Sequence, residues 1–241
     1  MNPLPESFAP VFFRNQFRTR IELPNKTLYP NVAVQSASIS GANTGLGFEA
    51  ARQLLSLSLS HLVMARGKAA AKELQTANRS ARIEVWALDM ESYESIRAFA
   101  RKCQDEISGR VDIVILNAGI SPLEFSRSTE TVHETAVQVN HFGTGLLVIL
   151  LLPVLKAKAV TGASPHLPIV NSVTSHLCKY PNRDLSPLLP AHDDTNVLPF
   201  DSRERYGVSK LLSQLFIVKL SEYVNPGNGN PITNMVDPGL T

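Results

Sequence analysis

From residue 32 onward, short apolar runs alternate with stretches in which apolar residues recur every third or fourth position. The runs at 32–39, 61–65, 82–88, 111–116, 168–172 and 232–236 predict strands. Segments near 46–57, 69–78, 93–108, 132–155 and 203–224 predict helices. Ile96, Phe99, Ala100, Cys103 and Ile107 form one helical stripe, and Val208, Leu211, Leu212 and Leu215 form another. Alternation of strand and helix at this rhythm predicts the α/β class, a parallel sheet with helices on both faces. The proline-rich residues 1–30 read as an extended arm, and 31–241 as a single domain. Residues 178–202, rich in Pro, Asp and Asn, read as a long surface loop.

Composition narrows the partners. Apolar residues make up 44% and charged residues 18%, and the formal charge of +2 comes without a Lys/Arg run, so nucleic acid is not expected. Two cysteines, Cys103 and Cys178, fit a reducing compartment, and no secretory signal is visible. A cytoplasmic location is expected. The apolar stretch 145–155 is too short to span a bilayer and predicts a buried helix. The six histidines show no metal-ligand spacing.

Ser40, Gly41, Asn43, Thr44, Gly45, Leu46 and Gly47 follow the first strand and open a helix. Such glycines let backbone N–H groups approach a pyrophosphate at the helix N-terminus, where the dipole favours negative charge. Arg66 follows the second strand, where a cation can pair with the 2′-phosphate of NADP; its alternative is a solvated loop cation. Asp89 and Met90 end the third strand, and Asn117, Ala118 and Gly119 the fourth, all at the carboxyl edge where open α/β sheets bind ligands. Asp89 could accept from the adenine amine or cap the helix that begins near Ser92. Tyr206 and Lys210 stand one helical turn apart.

Taken together, SGANTGLG, Leu-Asp-Met at 88–90, Leu-Asn-Ala-Gly at 116–119, Val-Asn-His at 139–141 and Tyr-Gly-Val-Ser-Lys at 206–210 resemble the short-chain dehydrogenase/reductase family over residues 30–241. The detail of the glycine loop and of Phe12–Gln16 is similar to its retinol-dehydrogenase-like and fungal secondary-metabolism branch. The resemblance implies a Rossmann-type doubly wound sheet of order 3-2-1-4-5-6 and hydride transfer between NADP(H), favoured over NAD(H), and a small carbonyl or alcohol substrate. It implies that Tyr206 is the general acid/base and that Lys210 lowers its pKa and holds the nicotinamide ribose. Asn140 would bend its helix and hold a relay water. Pro238, Gly239 and Thr241 would touch the carboxamide. Members commonly form homo-oligomers through their long helices.

A serine should orient the substrate; Ser172 directly follows the apolar run, whereas Thr174 or Ser175 would need a shifted register. Three departures stand out. Gln35, Ser36 and Ser38 interrupt a strand expected to be apolar and would need buried partners. Ser56–Ser60 lacks the glycine that usually ends the first helix. The sequence stops at Thr241, where the resemblance implies a substrate cover and a seventh strand, so an exposed sixth strand is expected. A nucleotide-binding scaffold without turnover is the competing reading. Hydrolysis through Ser172 lacks a nucleophile elbow and a placed base.

Overall fold

The computed structural model describes residues 8–20, 22–224 and 230–239. Among these the chain runs α1 (Phe8–Phe17), β1 (Ser36–Ser40), α2 (Gly45–Ser56), β2 (His61–Ala65), α3 (Lys68–Ala77), β3 (Arg82–Trp86), α4 (Tyr93–Asp105) and β4 (Ile113–Leu116). It continues through α5 (Thr135–Val137), α6 (Thr144–Ala157), β5 (His166–Val170), α7 (Leu188–Asp193), α8 (Ser202–Ser221) and β6 (Ile232–Val236). All pairings in the six-stranded sheet are parallel, in the order β3-β2-β1-β4-β5-β6. The expected Rossmann-type architecture and strand order are what the chain adopts.

Parallel strands covered on both faces alternate between two cores. Val63, Ala65, Val114 and Leu116 face one, with Ile96, Phe99 and Cys103 of α4 and Leu147, Leu151 and Leu155 of α6. Leu62, Met64, Ala37 and Ile39 face the other, with Ala51 and Leu55 of α2 and Leu74 of α3. Outside this pattern, β6 forms an edge, with Ile232 and Val236 exposed.

Several boundaries differ from the sequence pattern. The N-terminal arm is not extended throughout, because residues 8–17 are helical, with Phe13 and Phe17 stacked one turn apart on its exposed side. The first strand starts at Ser36, not 32, because Pro30 opens a 3-10 turn over Pro30–Val34. Gln35 thus caps that turn and is not in the strand. The serines that remain are fully enclosed. The amide of Ser36 donates to Asp112 Oδ2 at 2.9 Å, and Asp112 is held in turn by Arg110. Ser40 Oγ receives two amides, while Ser38 Oγ finds no protein partner. The loop expected over 178–202 carries α7 and buries His192.

The predicted helix 132–155 is a continuous helix over Thr135–Ala157, with a π-turn at Gln138–Gly143 between α5 and α6. At 23 residues it is long and apolar enough to cross a bilayer, contrary to the shorter apolar stretch read from sequence. Burial decides its role: Leu147, Val148, Leu151 and Leu155 are fully enclosed against α4 and the sheet, so it is a core helix.

Helix α2 ends without glycine, and the left-handed position falls on Ser58, at φ 72°. The amides of Ser58 and Leu59 donate to the Leu55 and Leu54 carbonyls, the two bonds of a Schellman cap, and they seat Leu57 and Leu59 in the core. A Cβ in this conformation costs about 1–2 kcal/mol. Because Ser58 is exposed, Ser58→Gly is expected to raise the unfolding free energy by about 0.5–1 kcal/mol in urea titration. Unchanged stability would show that the cap is not strained.

Candidate active site

The glycine loop is held from beneath. Ser40 Oγ accepts the amides of Asn117 and Ala118 at 3.0 Å each, and Asn117 Nδ2 donates to the carbonyls of Ser40 and Gly41. These four bonds join the carboxyl ends of β1 and β4 into one rigid edge. Gly41 adopts φ +66° and lies within about a methyl's width of the Ala118 backbone. A side chain on Gly47 would collide with the Gly41 carbonyl. Thr44 precedes α2 without a side-chain capping bond, so the first amides of that helix point out with no side chain to accept them.

At the far end of the same edge Asn140 sits in the π-turn, fully buried. Its amide grips the Ile120 backbone twice, donating to the carbonyl at 2.8 Å and accepting the N–H at 2.9 Å, and also donates to Ser209 Oγ. Its main-chain carbonyl receives Ser213 Oγ at 2.6 Å. Ser209 and Ser213 were missed in the sequence. Their signal is two serines four apart, and so on one helical face, within a turn of Lys210.

Lys210 is buried, and its Nζ donates to the Val170 carbonyl at 3.0 Å and stands 5.7 Å from the centroid of the Tyr206 ring. Burial lowers its pKa to about 8. A side chain on Gly119 would come within 3.2 Å of Lys210 Nζ and 3.1 Å of Asn140 Oδ1, so Gly119 forms an open floor between them. Ser172 lies close enough to the Tyr206 phenol to favour its ionised form. The phenol titrates above the ordinary value because burial disfavours the phenolate; Ser172 pulls it down and the Asp237 carboxylate pushes it up. The lowering expected from Lys210 is not found, since the ammonium is turned to the Val170 carbonyl.

Of the three candidate hydroxyls, Ser172 is the one whose neighbourhood lowers the Tyr206 pKa. It lies just beyond β5, which ends at Val170, and caps a 3-10 turn over Val173–His176. Thr174 Oγ1 donates to Ser172 Oγ, whereas Ser175 is buried and bonded to the Ser172 carbonyl and Gln214.

Gly41, Asn43, Thr44, Leu46, Arg66, Asp89, Met90, Asn117, Ala118 and Gly119 line one cleft of about 440 Å³, while Gly45 lies in its loop at φ +57°. Arg66 takes φ 68° in the turn before Gly67 and pairs with Asp89 at 3.2 Å, both side chains well exposed. Asp89 does not cap α4; Ser92 does, by accepting the Ser95 amide, and Asp89 Oδ1 instead accepts the Glu91 amide. After β6, the amide of Gly239 donates to Asp237, and the side chain of Gln16 from α1 lies against the Gly239 backbone beside Pro238. Thr241 lies outside the described residues.

The short chain dehydrogenase family model matches residues 35–185. The short chain dehydrogenase/reductase mfmJ of Annulohypoxylon moriforme is 45% identical over 98% of this chain and 70% of its own length. The short chain dehydrogenase virL of Hypocrea virens is 44% identical over 87% of this chain. This chain spans 61% of virL, so part of that relative has no counterpart here. Among solved structures, an alcohol dehydrogenase from the archaeon Thermococcus sibiricus, complexed with 5-hydroxy-NADP, superposes with a TM-score of 0.59. It is 21% identical, covering 84% of this chain and 75% of that one, a likeness of fold. With its glycine loop, its Ser172–Tyr206 pair and these relatives, the chain belongs to the short-chain dehydrogenase/reductase family of oxidoreductases, beside fungal members.

Proposed function

We propose that this protein is an NADP(H)-dependent oxidoreductase of the cytoplasm that interconverts a ketone or aldehyde and an alcohol, with Tyr206 carrying the proton. The observation behind this reading is the convergence of Ser172, Tyr206 and Lys210 beside the Gly119 floor, at the end of the glycine-lined cleft.

The residues of the cleft fit a dinucleotide. Gly41 and Gly47 let the loop close on itself and on the end of β4, where a Cβ would crowd the backbone, and the amides opening α2 face outward for an anion. Arg66 supports the phosphate-bearing cofactor, and so do the NADP complexes among the structural neighbours. When bound, the nicotinamide supplies or accepts hydride. The chain supplies the rest. Ser172 donates to the carbonyl oxygen, where negative charge develops. Tyr206, held neutral by its raised pKa, is in the form that gives a proton to that oxygen, so the resting site is set for reduction. Lys210 keeps positive charge behind the phenol, and Asn140 fixes Ile120 and, through Ser209, the helix that carries both. Pro238, Gly239 and Thr241 are proposed as carboxamide contacts from the sequence. A lipophilic ketone of the kind handled in fungal secondary metabolism is the substrate class that the relatives suggest.

Three measurements test this. NADPH at about 100 times its dissociation constant should add about 2.7 kcal/mol of stability, well beyond the effect of equal NADH. Arg66→Ala should weaken NADPH about tenfold and spare NADH, because an exposed charge-assisted bond is discounted by solvent. Equal shifts with both cofactors would remove the NADP assignment. Tyr206→Phe should keep the NADPH shift and lower carbonyl reduction by roughly 10²–10⁴-fold. An unchanged rate, or a wild type that binds NADPH and reduces no carbonyl, would favour the nucleotide-binding scaffold. Finally, Lys210 is protonated below its pKa of about 8, so kcat/KM for reduction should fall as pH rises through about 8. A profile flat to pH 10 would show that the charge on Lys210 is not needed.

A further inference from the structure

The segment between β5 and α8 wraps the first turn of the helix that carries Tyr206. The amides of Lys179 and Tyr180 donate to Glu204 Oε1 at 2.7 and 2.8 Å. Ser202 Oγ donates to the Pro122 carbonyl at 2.6 Å, three residues beyond the Gly119 floor, and Phe200 meets Phe125 edge-on. The segment therefore bridges from the turn that holds Ser172 to the loop after Gly119, across the first turn of the helix that carries Tyr206.

What fixes this bridge is a buried charged cluster outside the catalytic groups. Glu134, His192 and Arg205 are each at most 2% exposed. Arg205 NH1 reaches Glu134 Oε2 at 3.0 Å and the His192 main-chain carbonyl, and its NH2 reaches the Leu198 carbonyl at 2.6 Å. His192 Nδ1 is 2.8 Å from the same Glu134 oxygen. Arg205 NH1 also stands 2.7 Å from His192 Nδ1, so that nitrogen lies within hydrogen-bond reach of both the guanidinium and the carboxylate. The neighbouring Asp193 is held as firmly, by the Glu134 amide and by His133, each at 2.7 Å, and through its carbonyl by Arg127.

As a source of stability this cluster is poor. Glu134 Oε1, His192 Nε2 and Arg205 Nε each lack a protein partner, and buried ion pairs of this kind are commonly matched or bettered by apolar residues. Its physical effect is to permit one placement of the bridge, with Arg205 only one residue before Tyr206. We propose that Glu134, His192 and Arg205 form a latch that holds residues 178–201 as a wall of the substrate pocket, and so determine which carbonyl compounds are accepted. This rests on the reading of Tyr206 as the proton donor.

The test uses His192→Leu, which removes the polar ring nitrogen between Glu134 and Arg205, and His192→Asn, whose amide keeps a polar group near the same place. Arg127→Ala, an exposed change that leaves the buried pair intact, is the milder variant should His192→Leu not fold. The wild type's best carbonyl substrate, NADPH thermal shifts and the rate of tryptic cleavage after Lys179 and Arg183 are measured for each. The latch predicts a KM at least tenfold higher for His192→Leu and about threefold higher for Arg127→Ala. It also predicts faster cleavage in both, an unchanged NADPH shift, and wild-type behaviour in His192→Asn. Unchanged KM and cleavage in His192→Leu would overturn it, or in Arg127→Ala if the former does not fold. Loss of NADPH binding together with KM would also overturn it, because the effect would not be confined to the wall. Should the wild type bind NADPH yet reduce no carbonyl, the proposed function fails on its own, and the latch stands or falls on the cleavage rates.

Discussion

The active edge of this fold depends on one hydroxyl. Ser40 Oγ receives two consecutive amides from the end of β4, and no apolar residue could replace it without leaving both amides buried and unpaired. Because Asn117 answers by donating to the carbonyls of Ser40 and Gly41, the two central strands are clamped where they stop pairing. The glycine loop above them then has a fixed base. The carboxyl edge of a parallel sheet is the one side where backbone amides run out of strand partners, and this clamp spends two of them on structure and leaves those of α2 for an anion.

The sheet order, the helix faces and the residues of the cleft were legible because each rests on periodicity or on short-range spacing. Strand limits were not, because apolar content alone does not say where pairing starts. Residues 32–34 look like strand, but Pro30 sets a 3-10 turn and Ser36 is the first residue in register with His61. The latch was illegible for another reason. Glu134, His192 and Arg205 are spread over 72 residues, and each alone reads as an ordinary surface charge; only the fold brings them to one point. Ser213 lies between these cases. Its spacing from Ser209 marks a polar helix face, but the carbonyl it reaches is exposed to it only because Asn140 sits in a π-turn.

That π-turn links the two halves of the site. A helix whose bonding pattern widens for one turn presents a main-chain carbonyl sideways, and Ser213 of α8 takes it, while the Asn140 amide turns to Ile120 and Ser209. Helix α8 is thereby bonded to the same asparagine that holds the loop after Gly119. The position of Tyr206 and Lys210 relative to that floor is thus set by hydrogen bonds between buried groups, which resist displacement more than apolar contacts do because breaking one strands a polar atom.

Charge is distributed along the cleft according to what each end must do. At the open end, Arg66 and its partner Asp89 are both more than half solvated or close to it, so their fields are screened and their attraction is weak. The guanidinium is therefore held only loosely by its carboxylate partner. At the closed end, Lys210 is 5% exposed and Tyr206 half-buried, and the same charges act through protein rather than water. Burial moves the lysine down to about 8, and burial with the Asp237 carboxylate moves the phenol up, so the two groups' proton affinities are driven apart and the phenol holds its proton more firmly than the ammonium does. The dipoles around these two groups are already fixed by Asn140, Ser213 and the Val170 carbonyl, so the closed end is preorganised and little reorganisation is left to any charge that develops there.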